Sequence, residues 1–517
     1  MMEGQQSEIR LTELLAALSL VSDLGMGQPM EHNLRQCLIA SRLGDRIGLD
    51  ETAREGVFYA GMMAWIGCHV DAYEQAKWFG DEMALKGDAR KVDFATAKAG
   101  IGFTFKHLAA GQPLLHRARA GIGFIGGGMK DAEAMLENHW RAVDSFAACL
   151  GMNDNIRMSV KQTFERWDGK GVPDGTRGEE ILLTSRLVNL ADVVVVFHRV
   201  GGVEAAVGVA RERSGTQFDP QLVTLFCDVA EELFTALDET PTWDAVIASE
   251  PGLGTPLADG HLDAALEAVA DFADVKSPYT IGHSRGVADL ASDAARELGL
   301  PATDATAVRR AGLLHDIGRL GVPNSVWDKL GDLTLTERER MRMHPYLTER
   351  TLASSPGLAP LGALAIQHHE RLDGSGYPRG LNGDAISAGG RVLAAADVYR
   401  AKSEPRPHRA AAGAADVADV LRSEVRAGRL DGDAVKAVLS AAGHGTRRRR
   451  ESVGGLTARE LGVLRLLARG CSNKQIAHEL QISRKTAGNH VEHIYAKLGV
   501  TNRALASLFA AQHGLVD

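Results

Sequence analysis

Residues 363–378 read ALAIQHHERLDGSGYP. An apolar run ends on the adjacent imidazoles of His368 and His369, and Gly374, Gly376 and Pro378 stop any helix from continuing. Two histidines at a helix end can converge with side chains from elsewhere on one ligand. Upstream, AGLLHDIGRLGVP (311–323) carries His315 and Asp316 at the close of another apolar helix, and His283, His344 and Asp397 lie further out. These ligand-capable side chains, on five separate segments, point to one metal-centred site.

Neutral imidazole and ionised carboxylate are the donors that first-row divalent metals take from a protein of this kind. A carboxylate such as Asp316 has two oxygens and can bridge two cations. Two cations a few ångströms apart can hold phosphate oxygens for in-line attack.

His315-Asp316 on a helix, followed by HHE and DGSGYP, resembles the HD-GYP branch of the HD-domain metallophosphohydrolases. The resemblance runs from Ser277 to Arg409 through YTIGHS, MHPYL, QHHERLDGSGYPRGLNGDAI, RVLAAADVY and RPHR. It implies an all-helical domain, a centre of two divalent metal ions (iron or manganese) and hydrolysis of a phosphodiester, most often in cyclic di-GMP. His283, His315, Asp316 and Asp397 would hold one cation, and Asp316, His344, His368 and His369 the other. Asp316, Arg319 and Tyr377 would form the catalytic set. Three residues depart from the family. Tyr279 stands where three-metal members have a glutamate, which points to two metals. Arg319 replaces the usual lysine after HDIG, and Arg400 replaces an aspartate.

The chain has 517 residues and a formal net charge of −8, room for two to four domains and no overall basic character. Cys37, Cys68, Cys149, Cys227 and Cys471 are scattered without a CxxC and read as buried, reduced thiols of a cytoplasmic protein. The amino terminus lacks the apolar core of a signal peptide. The most apolar run, Val193 to Phe197, is too short to span a bilayer, so no membrane partner is expected. Leu and Ala recur at helical spacing and alternating strand patterns are nearly absent, which predicts an all-α chain.

The first half repeats the second. EHNLRQCLIASRLGDRIGLD and GMMAWIGC lie 251 residues ahead of GHSRGVADLASDAARELGLP and GLLHDIGR. FERWDGKGVPDGTRGEEILLTSRLVNLADVV parallels HERLDGSGYPRGLNGDAISAGGRVLAAADVY at an offset of 205, which leaves about 46 extra residues between Tyr73 and Met129. Residues 1–250 thus resemble a degenerate HD-GYP domain ahead of the intact one at 251–442. Ala64 and Trp65 stand at the places of His315 and Asp316, and Thr163 and Phe164 at those of His368 and His369. Only His32, His139 and Asp192 persist, so this copy is expected to be metal-free, its centre filled by apolar groups.

Residues 443–455 read as a linker with four consecutive arginines. Residues 456–517 hold eight Lys/Arg against four Asp/Glu, a net of +4 in a chain that is otherwise −12. Capping boxes at Thr457/Glu460 and Ser472/Gln475, a Ser483-capped helix to Leu498 and a fourth from Thr501 to His513 spell a helix-turn-helix. The segment closely resembles the LuxR-type DNA-binding domain. Lys474, Ser483, Arg484, Lys485, Thr486, Asn489, His490, Glu492 and Lys497 are the expected contacts to double-stranded DNA. Gly488 departs from the family's longer side chain. The last helix could pair two subunits into a homodimer.

Two readings fit this sequence. One is a cyclic dinucleotide phosphodiesterase, or a phosphohydrolase of another nucleotide, coupled to DNA binding. The other is a non-catalytic, nucleotide-sensing transcription factor.

Overall fold

The computed structural model describes residues 9–94, 97–108, 129–252, 254, 256–443 and 456–516. Most of the expected linker, its four arginines, the extreme amino terminus and the middle of the expected insertion therefore lie outside the described residues. As the periodicity predicts, the architecture is helical. Among the described residues there is no strand, only isolated bridges such as Arg10–Pro256.

The chain divides into two compact units, one spanning Glu8–Ala258 and the other taking in Asp259–Asp517. The helix-turn-helix segment therefore packs in the same unit as the metal-ligand candidates, where the sequence suggested a body apart.

Within the second unit, the helices His283–Glu297, Ala302–Leu314 and Ala388–Ser403 form the centre of a bundle. Their contact faces are rich in small residues, Ala291, Ala294, Ala295, Ala305, Ala311, Ala395 and Ala396, all fully buried. Small faces let backbones approach closely: a Cβ on Gly312 would sit 2.7 Å from Ala288 Cα. Val287, Val308, Val392, Leu393 and Leu421 fill the rest, each worth about 1.5–3 kcal/mol when fully buried.

The first unit repeats that order of elements. Helices His32–Arg46 and Glu51–Met63 are followed by a 3-10 turn, Ile66–His69, just as the second unit has the turn Ile317–Gly321 after its own pair. Both first helices start from a left-handed residue, Glu31 at φ 76 and Gly282 at φ 77. Glutamate tolerates that conformation poorly, so the first unit holds at Glu31 a geometry that suits the glycine of the second. Close approaches recur too: a Cβ on Gly67 would lie 2.4 Å from His139 O, and one on Gly318 2.1 Å from His344 O.

The run Val193–Phe197 is part of a 30-residue helix, Leu183–Glu212, which by length and composition alone could cross a membrane. The sequence reading judged only the short run. The helix breaks at Gly201 and Gly202, however, and buries Leu187, Val188, Leu190 and Val194 inside the unit. None of the five cysteines forms a disulfide, but only Cys37 is fully buried, while Cys149 is exposed.

Candidate metal centre

All but one of the candidate ligands sit where a helix begins, ends or turns. His283 opens the helix His283–Glu297, and His315 caps the end of Ala302–Leu314. Asp316 precedes the 3-10 turn Ile317–Gly321. His344 opens His344–Leu352, and His368 and His369 close the turn Ile366–His369. Asp397 projects from within Ala388–Ser403. The fold gathers all seven into one buried cluster, with only His369 partly exposed.

Hydrogen bonds fix which imidazole nitrogen faces inward. Nδ1 of His315, His344 and His368 lies 2.7, 2.6 and 2.7 Å from the carbonyls of Gly312, Met341 and Ala365. A carbonyl can only accept, so Nδ1–H donates in each case and Nε2 presents a bare lone pair to the centre. Nε2 of His344 and His368 face each other at 3.2 Å, and Nε2 of His315 is buried with no hydrogen-bond partner. Lone pairs so arranged repel unless a cation lies among them.

Asp316 shares its two oxygens between two groups. Oδ1 is 3.3 Å from His344 Nε2 and 3.8 Å from His368 Nε2. Oδ2 is 3.5 Å from His315 Nε2 and 3.8 Å from His283 Nε2. Asp397 closes the second group at 3.3 Å from His283 and reaches toward His369 Nδ1 at 3.8 Å. The clusters His344/His368/His369 and His283/His315/Asp397 can each supply three donors to a metal ion. The residues present therefore fit divalent cations.

Charge completes the description. Burial works to raise the Asp316 carboxyl, but the Arg319 guanidinium beside it outweighs that and holds it well below the usual range. Asp397 is likewise held far down by its bond to His283 against burial. Burial, with His315 alongside, lowers His368 to about 3, and burial lowers His369 strongly too, so both stay neutral ligands at ordinary pH. His283 goes the other way. Burial opposes its protonation, yet Glu404 and Asp397 push it up to about 10. A cavity with this many carboxylates attracts positive charge.

Glu404 is the residue that sequence reasoning missed. It accepts from His283 Nδ1 at 2.8 Å, 121 positions away in the chain, and so orients a ligand without being one. Arg400 and Arg406 neutralise it, at 3.3 and 3.2 Å. Arg400 thus has an account that its position in the sequence did not provide. Thr348 and Glu370 were also missed. Thr348 donates to His315 O at 3.0 Å, and Glu370 accepts from Arg379 N and Leu381 N at 2.8 Å each, bracing the turn through Tyr377. Nothing in the sequence but their polarity within apolar segments marked them.

Arg319 donates to Asp316 Oδ2 at 2.9 Å and lies over the Trp327 ring at 4.1 Å. It is first of all a partner of the Asp316 carboxylate. The Tyr377 ring packs at 4.6 Å from His369 with Arg342 over it at 4.8 Å, and burial raises its hydroxyl pKa.

The corresponding centre of the first unit is differently filled. Trp65 and Phe164 meet edge to face at 4.7 Å, and His139 donates to Ala64 O at 3.0 Å. His32 and Asp192 remain paired at 2.9 Å. The expectation of an apolar centre fails at Arg90. Its guanidinium is buried, 4.0 Å over the Trp65 ring and 3.8 Å from Asp192. Arg90 lies between Tyr73 and Met129, where the repeat in the sequence leaves extra residues, and puts an organic cation beside the Asp192 carboxylate.

In the helix-turn-helix, Arg484, Lys485, Thr486, Asn489 and Glu492 are exposed on the helix Arg484–Leu498, and Lys474 on the helix before it. Ser483 caps Thr486 N at 3.0 Å. Two candidates fall short of the expectation: His490 is half-buried, and Lys497 is tied to Glu460 at 2.7 Å. A Cβ on Gly488 would meet only Asn473 Nδ2, at 3.8 Å, so no close contact demands glycine there. The fourth helix runs Arg503–Gln512, and its Leu505, Ala506, Leu508 and Ala510 are buried within this chain rather than offered to a second subunit.

With the geometry in view, comparison with known proteins is direct. Residues 267–434 match the HD domain family, and residues 455–510 match the bacterial regulatory proteins of the luxR family. A 3'3'-cGAMP-specific phosphodiesterase 3 of Vibrio cholerae is 33% identical over 414 residues, 79% of this chain and 90% of the relative. The cyclic di-GMP phosphodiesterase response regulator RpfG of Xanthomonas campestris is 42% identical over 119 residues, 23% of this chain and 32% of that one. The crystal structure of a cyclic GMP-AMP specific phosphodiesterase of V. cholerae, V-cGAP3, superposes with a TM-score of 0.58 at 28% identity, covering 84% of this chain and 98% of that one. A fold and a donor set of this kind define a metal-dependent phosphodiesterase. The chain belongs to the HD-GYP phosphodiesterase family and carries a luxR-type DNA-binding domain at its carboxy-terminal end.

Proposed function

We propose that residues 259–443 hydrolyse a cyclic dinucleotide with two divalent cations, iron or manganese, and that the state of this site is passed to DNA binding by residues 456–516. Residues 9–258 act as a degenerate copy of the same domain without metal. The observation that carries the reading is Asp316, one oxygen toward His344 and His368 and the other toward His283 and His315. A complete donor set favours hydrolysis over binding alone.

Bound there, the cations supply Lewis-acid polarisation of a phosphate and a more acidic water. The chain's own residues do the rest. Arg319 keeps Asp316 ionised and aimed. Glu404 holds the His283 ring through Nδ1. Tyr377, its hydroxyl kept protonated by burial, stands against His369 where it can donate to a phosphate oxygen. The relatives' names favour a 3'3'-cyclic dinucleotide as substrate.

Coupling rests on a line of contacts. Glu404 touches His283 and also Arg406, and Arg406 donates to Tyr279 O at 3.1 Å. The Tyr279 ring lies against the Gly470 turn of the helix-turn-helix, where an added Cβ would stand 3.6 Å from it. The exposed face of Arg484, Lys485 and Asn489 stays free for the major groove, and its work places the protein wherever DNA is.

The test is full-length protein, its metal content measured, incubated with cyclic di-GMP and 3'3'-cGAMP while DNA footprints are recorded with and without them. Release of linear dinucleotide from at least one, and a footprint that changes with it, is expected. No turnover by metal-loaded protein would defeat the enzymatic reading. Lys474→Ala should weaken binding to all DNA alike and reduce its salt dependence, whereas Asn489→Ala should relax sequence choice.

A further inference from the structure

In the first unit, a cavity of about 350 Å³ opens beside His32 and is lined by Arg35, Arg199, His198, Met30 and Phe234, among others. The internal repeat explains why a hole exists here. At the repeat's two offsets Arg35 corresponds to Gly286, Val195 to Arg400 and Arg199 to Glu404. In the second unit this space is full: a Cβ on Gly286 would lie 2.4 Å from Arg400 Nε, and Glu404 occupies His283 Nδ1. In the first unit the filling arginine has become Val195 and the carboxylate has become Arg199. Volume is released and the sign of the charge is reversed.

His32 supplies the second, independent observation. Its Nε2 is 2.9 Å from Asp192, whose carboxyl is held below its usual pKa despite burial, with Arg90 and His32 opposing. Nε2–H therefore donates to Asp192, and burial, with Arg90 nearby, lowers the imidazole to about 4 and keeps it neutral. Nδ1 is left as a lone pair, and it has no hydrogen-bond partner although His32 is only 1% exposed. His32 is among the residues that line the cavity, and the matching nitrogen in the other unit is the one Glu404 occupies. An unpartnered acceptor thus borders a space rimmed by two guanidinium groups. One wall is flat, because His198 stacks on Phe234 at 3.8 Å with rings 2° from parallel.

We propose that this cavity binds a mononucleotide-sized organic anion, its phosphate held by Arg35 and Arg199, an N–H or O–H donor received by His32 Nδ1, and its planar body against the His198–Phe234 wall. The volume falls at the lower end of the range of small-ligand pockets, about 300–1,000 Å³. Arg199 is oriented by Gln28 and Arg35 by Asp238, which leaves further N–H donors on each. The site is separate from the metal centre and needs no metal.

The experiment is calorimetric titration of full-length Asp316→Ala protein, with the metal centre disabled, using GMP, AMP and orthophosphate. Saturable binding of GMP or AMP at one site per chain is expected, at least tenfold tighter than orthophosphate. Arg199→Glu, which restores the second unit's carboxylate beside the imidazole, should weaken it tenfold or more. Should Arg199→Glu fail to fold, Arg35→Ala at the rim gives the same reading, since Arg35 is solvent-accessible. Mononucleotide binding unaltered by both variants would overturn the proposal, as would orthophosphate binding as tightly as GMP and AMP, or no binding of either nucleotide.

Discussion

The two units repeat an order of helices and turns and fill the matching centres in opposite ways. In the second, carboxylates and imidazoles surround a position that fits inorganic cations. In the first, Ala64, Trp65, Thr163 and Phe164 stand at the places of four donors, and Arg90 brings a guanidinium to Asp192. A buried Asp192 without a cation would be costly. Arg90 supplies that positive charge from within the chain. The centre of the first unit is thus balanced in charge by a side chain, where that of the second offers its donors to a metal.

The largest expected effect breaks the metal-bearing side of the comparison. Asp316→Ala removes the one carboxylate both donor groups share, so metal content should fall to background and hydrolysis by roughly a thousandfold or more. Elemental analysis with a turnover assay reads both. Two metals per chain in the variant would refute the shared carboxylate.

Glu404→Gln is milder, because it leaves every donor in place. It keeps an acceptor for His283 Nδ1 but removes the charge, and metal affinity should fall about 10–100-fold. Competition with a chelator measures it. If affinity were unchanged, His283 would be oriented by its helix alone.

On the other side, Arg90→Ala should strip the first unit's centre of its cation and destabilise that unit by about 3 kcal/mol, a typical cost of orphaning a buried charge. Metal content should be unchanged. Denaturant titration is the measurement, and a variant as stable as the parent would mean that Arg90 does not balance Asp192.

The candidate ligands were legible because a metal needs particular residue types in a particular order, and alignment of the repeat puts Ala64, Trp65, Thr163 and Phe164 at the matching places of the first half. Arg90 stayed hidden for the converse reason: it lies in an insertion with no counterpart to align, and any residue long enough and positive could have served. Glu404 was hidden because orienting a ligand demands only an acceptor, and its pairing spans 121 residues. The helix-turn-helix was legible down to its caps, since Thr457, Ser472 and Ser483 each accept from the backbone as their spacing predicts. Its packing beside Tyr279 was not, because a glycine at a helix end looks the same whether it meets solvent or a tyrosine.

The smallest effect concerns acid. His32 and His139 of the first unit are both buried and neutral, each lowered from the ordinary 6.5 to about 4, chiefly by burial. Between those values the unfolded chain binds protons that the folded unit refuses. Stability is therefore complete above pH 6.5 and drains as pH falls toward 4. At pH 5 the loss should be about 2 kcal/mol for each imidazole. Buried Asp23 leans the other way, because burial raises its carboxyl and favours its protonated form in the folded state, but one such group opposes two histidines. His139 donates through Nε2 to Ala64 O, and a glutamine can make that bond without titrating. His139→Gln should thus flatten the fall in melting temperature between pH 6.5 and 4, with little change at pH 8. A slope identical to the parent's would show that the acid sensitivity of this unit lies elsewhere than in His139.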